Sequence, residues 1–225
     1  MDLGQQWPNC LRQSGVDFGM TKEAADKIID LYQENASAWI KRRGCDLMER
    51  PWLDRFVEAM PPEGRDILDL GCASGEPIAR YLIDSGCQVT GVDGAAALID
   101  VARESFPEHR WIVADMRELP RLGQFHGLVA WHSFFHLKPE DQRPMFDVFR
   151  RLSFPGAVLM FTSGTEFGDT IGEFEGQPLY HGSLSSDEYR DLLRVNGFDI
   201  IRHIENDTTC GGANIWLAKK MTSHR

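Results

Sequence analysis

The feature that most constrains this chain is an alternation that begins at Arg65. Short apolar runs, DILDLG, QVTGVD, RWIVAD and FHGLVAWHS, are separated by stretches with helical spacing that reach Tyr81 and Ala102. A strand buried on both faces reads as a continuous apolar run, and parallel neighbours need a crossover. The pattern therefore predicts βαβ units and a parallel sheet covered on both sides. A helix from about Glu140 to Leu152, the Pro155-Gly156 pair and the run AVLMFTS extend the series, and a helix over Ser186 to Val195 precedes DIIRHIEN and NIWLAKK. The link between these last two runs is too short for a helical crossover and predicts an antiparallel hairpin. The fold class is α/β, a doubly wound, mostly parallel sheet whose last strand is antiparallel.

Ahead of this unit, Lys22 to Arg43 reads as helix, with Thr21 able to cap it. Ile28, Leu31, Tyr32, Ala36, Trp39 and Ile40 form its apolar face, and Asn35 is a point at which it can break in two. A second helix, about Arg50 to Met60, stops at Pro61-Pro62, and the Pro-Pro-Glu-Gly run marks a boundary. The 225 residues suffice for one well-filled core. Residues 1–62 are expected to form a helical cap over the site of the domain made by 63–225. After Gly164 a Gly-rich stretch of weak periodicity runs to His181, too long for an ordinary connection and expected to be a lid or substrate loop.

The formal net charge is −10, with Lys and Arg spread along the chain, so no basic stripe exists to track a phosphate backbone. Nucleic acid is not the expected partner, and small metabolites are. Cys10, Cys45, Cys72, Cys87 and Cys210 are odd in number and show no zinc-type spacing, so a reduced cytoplasmic protein without a metal site is expected. The segment MDLGQQWPNCLRQSG carries neither a basic leader nor a continuous apolar stretch, and no membrane association is expected.

The segment DLGCASGEP, residues 69–77, falls where the first parallel strand hands over to its helix. In a doubly wound sheet the carboxyl ends of the strands form the ligand crevice, and small residues in the first turn let the backbone approach the ligand. Gly71, Ala73 and Gly75 are the candidates. Asp93 closes the second run 22 residues after Gly71, where a carboxylate can accept from both hydroxyls of a ribose. Asp115, with Met116 beside it, ends the third run in the same register and can meet an adenine edge and face. NAD is the direct competitor, but its G-x-G-x-x-G spacing would need Gly at 73 and 76, where this chain has Ala73 and Glu76.

With these residues the chain resembles the S-adenosylmethionine-dependent methyltransferases, whose Rossmann-like sheet has seven strands. DLGCASG is similar to their first motif, D/E-x-G-x-G-x-G, with Ala73 in place of the middle glycine. The similarity covers roughly Arg65 to Lys220 and implies S-adenosylmethionine as cofactor. By that resemblance its methionine end belongs at Asp69, Gly71, Cys72, Ala73 and Gly75, its ribose at Asp93 and Gly94, and its adenine at Asp115-Met116, with Trp131 also at the crevice. YQENASAWIKRRG resembles the N-terminal helix of small members, which implies Tyr32 and Trp39 as cofactor contacts and an Arg at 42 or 43 for its carboxylate. Packing on the sheet is the alternative for Trp39.

Methyl transfer is an in-line displacement that needs acceptor and methyl held together in a dry pocket, helped by a base where the acceptor must lose a proton. WHSFFHL, residues 131–137, ends the fourth run at the same crevice: His132 is the leading catalytic candidate, with Ser133 and His136 behind it and Phe134 and Phe135 as apolar wall. Tyr180 and His181, in PLYHGS, are the other catalytic candidates, as parts of a lid. Ser163 and Gly164 are expected at the rim, and DTTCGG in the last hairpin turn, where Cys210 has no His or acid beside it in sequence to make it a nucleophile. Trp131-His132-Ser133-Phe134 stands where many adenine-DNA and glutamine methyltransferases carry Asn/Asp-Pro-Pro-Tyr, which agrees with the charge argument. Beside methyl transfer to a small molecule, displacement at another carbon of the sulfonium and a catalytically silent cofactor-binding protein stay open.

Overall fold

The computed structural model describes residues 23–222. The expected Thr21 cap, Lys22 and Cys10 lie outside them. Helices α1 (Ile28–Glu34) and α2 (Ala36–Arg43) are separated at Asn35, as the apolar face allowed, and α3 (Arg50–Ala59) starts with Pro51 in its first turn, where the missing N–H costs no helical bond. The main unit then runs β1 (Asp66–Leu70), α4 (Ile78–Asp84), β2 (Gln88–Asp93), α5 (Ala96–Ser105), β3 (Arg110–Val113), β4 (Phe125–Ala130) and α6 (Pro139–Leu152). It continues through β5 (Ser153–Ser163), β6 (Gly168–Phe174), β7 (Gln177–Ser183), α7 (Ser186–Val195), β8 (Phe198–Asp207) and β9 (Ala213–Lys220).

Seven strands form one sheet in the order β3-β2-β1-β4-β5-β9-β8, parallel except that β9 runs antiparallel to both β5 and β8. This is the doubly wound Rossmann-like sheet with an antiparallel last strand. On one face Trp52, Leu53 and Phe56 of α3 join Ala79, Leu82, Ile99 and Ala102 of α4 and α5. On the other, Met145, Phe146 and Phe149 of α6 and Tyr189 and Leu193 of α7 close over Phe161 and Trp216. Each such buried large side chain contributes roughly 1.5–3 kcal/mol relative to exposure. Strand order reverses between β1 and β4, so a crevice opens at their carboxyl ends.

The stretch expected to be a lid or substrate loop contains a two-stranded hairpin, β6 paired with β7 from Gly168↔Ser183 to Phe174↔Gln177. Its two-residue turn has positive φ at both Glu175 (51°) and Gly176 (75°), the geometry that matches the twist of paired strands. Phe174 and Leu179 of the hairpin pack on Ile28 and Leu31 of α1, so helical cap and hairpin meet above the crevice. Lys138 also ties the segment before α6 to the cap, through Asp26 at 2.6 Å. Among the described residues no helix is long and apolar enough to cross a membrane.

Candidate active site

The turn after β1 is held against β2 by the Val92 carbonyl, which accepts from the N–H of Gly71 (2.7 Å) and of Cys72 (3.2 Å). Gly71 has φ +73°, and a Cβ there would lie 2.2 Å from the Cβ of Ser133. Ser133 is itself fixed, its hydroxyl donating to the Leu70 carbonyl at 2.6 Å. Glycine at 71 is therefore required twice over, by conformation and by the close approach of the chain that leaves β4. At Gly94 a Cβ would meet Ile29 of α1 at 2.7 Å, so the cap sits directly on the turn after β2.

Asp93 braces both turns: its Oδ2 accepts from the Ala73 N–H and its Oδ1 from the Ala95 N–H, each at 2.9 Å. Burial pushes its carboxyl up, and the two backbone N–H groups oppose that. Asp69, at the end of β1, is pushed up to about 7 by burial and by the neighbouring Asp93 charge. Asp115 is engaged by Arg117, through the backbone N–H at 2.8 Å and Nη2 at 2.6 Å, and Arg117 also reaches Asp141 at 3.1 Å. Burial raises the Asp115 carboxyl, but Arg117 outweighs it and holds the group below the usual carboxylate range.

These residues line a crevice that encloses about 690 Å³ of space, its open mouth included. Gly71, Ala73, Asp93, Gly94, Asp115, Met116, Tyr32 and Trp39 all face it. Four other expected contacts do not. Gly75 points away, since a Cβ there would meet Phe106 and Trp111 at 3.0 and 3.1 Å; its positive φ (81°) serves helix-to-sheet packing. Cys72 and Trp131 lie in the core, their side chains turned to one sheet face, and Asp69 is 3% exposed beneath the turn. Ile28, Ile29, Leu98, Arg117 and Leu137 line the crevice without having been singled out. The apolar face of the cap carried a signal for Ile28; Arg117 carried none.

A second cavity, about 410 Å³, abuts the first and is walled by Arg42, Phe135, Glu173, Phe174, Leu179 and His181. The two share Tyr32, Trp39, His132 and His136. His132 has φ +48° and donates its backbone N–H to the Thr162 hydroxyl at 2.9 Å, which turns the chain sharply at the end of β4. Phe135 lies beside His181, and His136 stacks near it with ring centres 5.1 Å apart. Burial lowers all three imidazoles, His132 to about 3, His136 to about 4 and His181 to about 3, so the cluster is uncharged at neutral pH. Among the described residues no group of His, Cys and acids is placed to hold a metal ion.

Tyr180 is placed differently from its expected role. Strand alternation sends its side chain to the opposite face of the hairpin from His181. There it packs on Ala24 and Ala25, and its hydroxyl donates to Asp169 at 2.6 Å. Of the two arginines, Arg43 is turned inward to Glu49 (2.6 Å) and the Asp46 carbonyl, whereas Arg42 lies over Phe174 at the second cavity. Phe134 is core. Ser163 is buried and holds Asn214 and Trp216, and Cys210 is packed under the last turn with its thiol pushed up to about 12, chiefly by burial.

A glycine-sharpened turn, a carboxylate after the second strand and a crevice at the switch point define a doubly wound domain built to take a nucleoside-bearing cofactor. Residues 67–156 match a family described as a methyltransferase domain. An O-methyltransferase of Pyrenophora dematioidea is 25% identical over 169 residues, covering 70% of this chain and 62% of that one. The CcbJ methyltransferase of Streptomyces caelestis shares the fold with a TM-score of 0.67 at 16% identity, over 87% of this chain and 98% of the other. The 1,6-didemethyltoxoflavin-N1-methyltransferase of Burkholderia thailandensis, solved with 1,6-didemethyltoxoflavin and S-adenosylhomocysteine, does so with a TM-score of 0.64 at 16% identity, over 94% and 93%. The chain spans about three fifths of the length of the curated relatives it matches. Its central segment thus matches a methyltransferase domain, and its fold is the Rossmann-like one of these solved methyltransferases.

Proposed function

We propose that this protein transfers a methyl group from S-adenosylmethionine to a small-molecule acceptor. The observation that carries the reading is the pair of adjoining cavities with one common wall, Tyr32, Trp39, His132 and His136. The larger fits the cofactor: the close approach at Gly71 leaves the backbone bare, Asp93 is set to receive ribose hydroxyls on the lone pairs its two N–H bonds leave open, and Met116 and Leu98 supply an apolar wall for the base. When bound, S-adenosylmethionine supplies an electrophilic methyl carbon, to which the acceptor heteroatom bonds as the carbon–sulfur bond breaks with its electron pair kept on sulfur.

The chain's own contribution is position and exclusion of water. Cap and hairpin meet over the crevice, and Tyr32, Trp39 and Phe174 form an aromatic wall, with Tyr32 stacked near Phe174 at 5.8 Å and edge-on to Trp39 at 5.2 Å. Neutral imidazoles along the common wall place no positive charge against a sulfonium. The bound partner in the solved toxoflavin enzyme is likewise a small molecule, which supports the same acceptor class here.

Calorimetric titration with S-adenosylmethionine, S-adenosylhomocysteine and NAD in parallel is the test. Both adenosyl ligands are expected to bind and NAD is not; NAD binding alone would sink the reading. In Asp93→Ala the affinity for S-adenosylhomocysteine should fall about 100-fold, the scale of losing charge-assisted hydrogen bonds and leaving two N–H groups without an acceptor. Unchanged affinity would move the ribose elsewhere.

A further inference from the structure

Tyr32 Oη and His136 Nε2 lie 3.0 Å apart at the wall shared by the two cavities, and on the other side of the ring His136 Nδ1 lies 2.8 Å from the Tyr180 carbonyl. A carbonyl oxygen can only accept, so Nδ1 carries the proton and donates it. That assigns the tautomer: Nε2 is bare and accepts from the Tyr32 hydroxyl. The hydrogen-bond chain has a direction, from the cavities through Tyr32 into His136, and ends on a backbone carbonyl that holds the ring in place. The side chain of Tyr180 does not enter this chain, only its main-chain oxygen does.

Resting on the methyltransferase reading above, we propose that Tyr32 and His136 form a proton relay, and that the acceptor is a planar aromatic compound whose nucleophile is a ring hydroxyl or ring N–H. The plane follows from the second cavity, which presents Trp39, Phe135, Phe174 and Leu179 around the imidazoles. As the acceptor heteroatom uses its lone pair to bond to the methyl carbon, its own X–H bond breaks and that electron pair stays on the heteroatom. The proton passes to Tyr32 Oη while the Tyr32 proton passes to His136 Nε2, leaving an imidazolium that returns the proton to water once the product has gone.

Tyr32 touches the acceptor in this scheme and His136 is the proton sink behind it. Tyr32 cannot serve alone, because burial, and then the Asp93 charge, raise its hydroxyl far above the usual phenol range, with Arg42 only partly opposing; it must lose a proton as it gains one. A weakly basic His136 suffices, since a heteroatom becomes strongly acidic as its bond to carbon forms. The timing also suits the charge: the imidazolium appears as the sulfonium charge disappears, so the shared wall never faces two cations. Facing His136 are Tyr32 from α1, His132 from the end of β4, and His181 with the Tyr180 carbonyl from β7. Arg42 of α2 and Asp93 of β2 act on Tyr32, and Arg43 acts on His132.

Long-range proton–nitrogen NMR of the imidazoles, on the full chain loaded with S-adenosylhomocysteine and assigned with His136→Gln, reads the relay without any acceptor. The expected signature is His136 protonated at Nδ1 and bare at Nε2, with the Nε2 signal shifted in Tyr32→Phe; a proton on Nε2 would overturn the proposal. Turnover follows with simple phenols, hydroxyquinolines and ring N–H heterocycles as probes. A protein that binds S-adenosylmethionine but forms no S-adenosylhomocysteine above the acceptor-free rate with any of them overturns the acceptor class, while failure to bind S-adenosylmethionine strikes the reading beneath it. With an active probe and saturating S-adenosylmethionine, Tyr32→Phe and His136→Gln should each lower kcat about 100-fold or more, the remaining rate rising with pH as the probe ionises unaided. A kcat within about threefold of wild type in both variants, or no change in pH profile, overturns the relay.

Discussion

The cofactor side of the site is made of main chain and carboxylates, and its parts are close in sequence: the turn after β1, the turn after β2 and the segment after β3 lie between Gly71 and Arg117. The acceptor side is made of aromatic and imidazole side chains brought from three distant places, Tyr32 being 104 positions from His136, and His136 44 from Tyr180. The electrostatics divide along the same line. Asp69 and Asp93 are raised by burial, whereas His132, His136 and His181 are lowered by it. One side is dictated by the fold, which needs a tight strand-to-helix turn wherever a cofactor phosphate or ribose must come close. The other is grafted onto that fold, which is where substrate choice resides.

The heaviest blow to the cofactor side is Gly71→Ala. Its methyl would be forced onto Ser133 from a left-handed backbone position, and the two penalties together should cost about 3 kcal/mol in urea unfolding and reduce S-adenosylhomocysteine affinity at least 100-fold. Removing the facing side chain separates the two penalties. Gly71→Ala combined with Ser133→Gly should recover about half of the lost stability, because the overlap is relieved and the backbone strain is kept. A single variant as stable as wild type would show that the chain leaving β4 can retreat, and that the cofactor side is less tightly dictated than its geometry indicates.

What was legible in the sequence follows the same division. β2 and α7 fall on their expected residues, and the split at Asn35 was carried by the apolar spacing of Ile28 to Ile40, because these elements bury one face and their periodicity is local. Gly71 and Asp93 were legible since a turn needing positive φ and a carboxylate at a strand end leave marks in a few letters. Gly75 was read for the wrong reason: the letter is right for the backbone, but its contact is Phe106 and Trp111, which are remote in sequence. The hairpin escaped because its strands, GDTIGEF and QPLYHGS, rest on the cap and on the site and lack clean alternation, while Glu-Gly is a poor cue for a two-residue turn. Which of Tyr180 and His181 faces the site depends on the register of that hairpin, so it was not readable without the pairing.

Acidity sharpens the comparison from both sides at once. The three imidazoles titrate near 6.5 in the unfolded chain and near 3 to 4 when folded, so their contribution is intact above about pH 6.5 and is lost as the pH falls through that value toward 4. Asp69 has the opposite sign: raised to about 7 from 3.8, its contribution is intact below about pH 4 and is lost as the pH rises through 7, and Asp93 acts in the same direction. Between pH 7 and pH 5 three imidazoles should outweigh two carboxyls, and urea unfolding should show a net loss of stability. His181→Gln should flatten that slope. A protein more stable at pH 5 than at pH 7 would mean that the buried carboxyls of the cofactor side dominate.

The smallest effect tests the finest distinction, that of two neighbours on β7. Tyr180→Phe removes one hydroxyl bond to Asp169, an exposed carboxylate that water can resatisfy, and should cost no more than about 1 kcal/mol. The ring still packs on Ala24 and Ala25, the main-chain carbonyl still receives His136 Nδ1, and S-adenosylhomocysteine affinity should not change. His181→Ala, one residue on, takes away a wall of the acceptor cavity and a ring stacked near His136, so the NMR signals of His136 should move in this variant and stay in the other. Should Tyr180→Phe move them and His181→Ala leave them alone, the two faces of the hairpin are exchanged. The acceptor side would then have to be rebuilt around the opposite set of β7 side chains, while the turn at Gly71 and the brace at Asp93 would stand as they are.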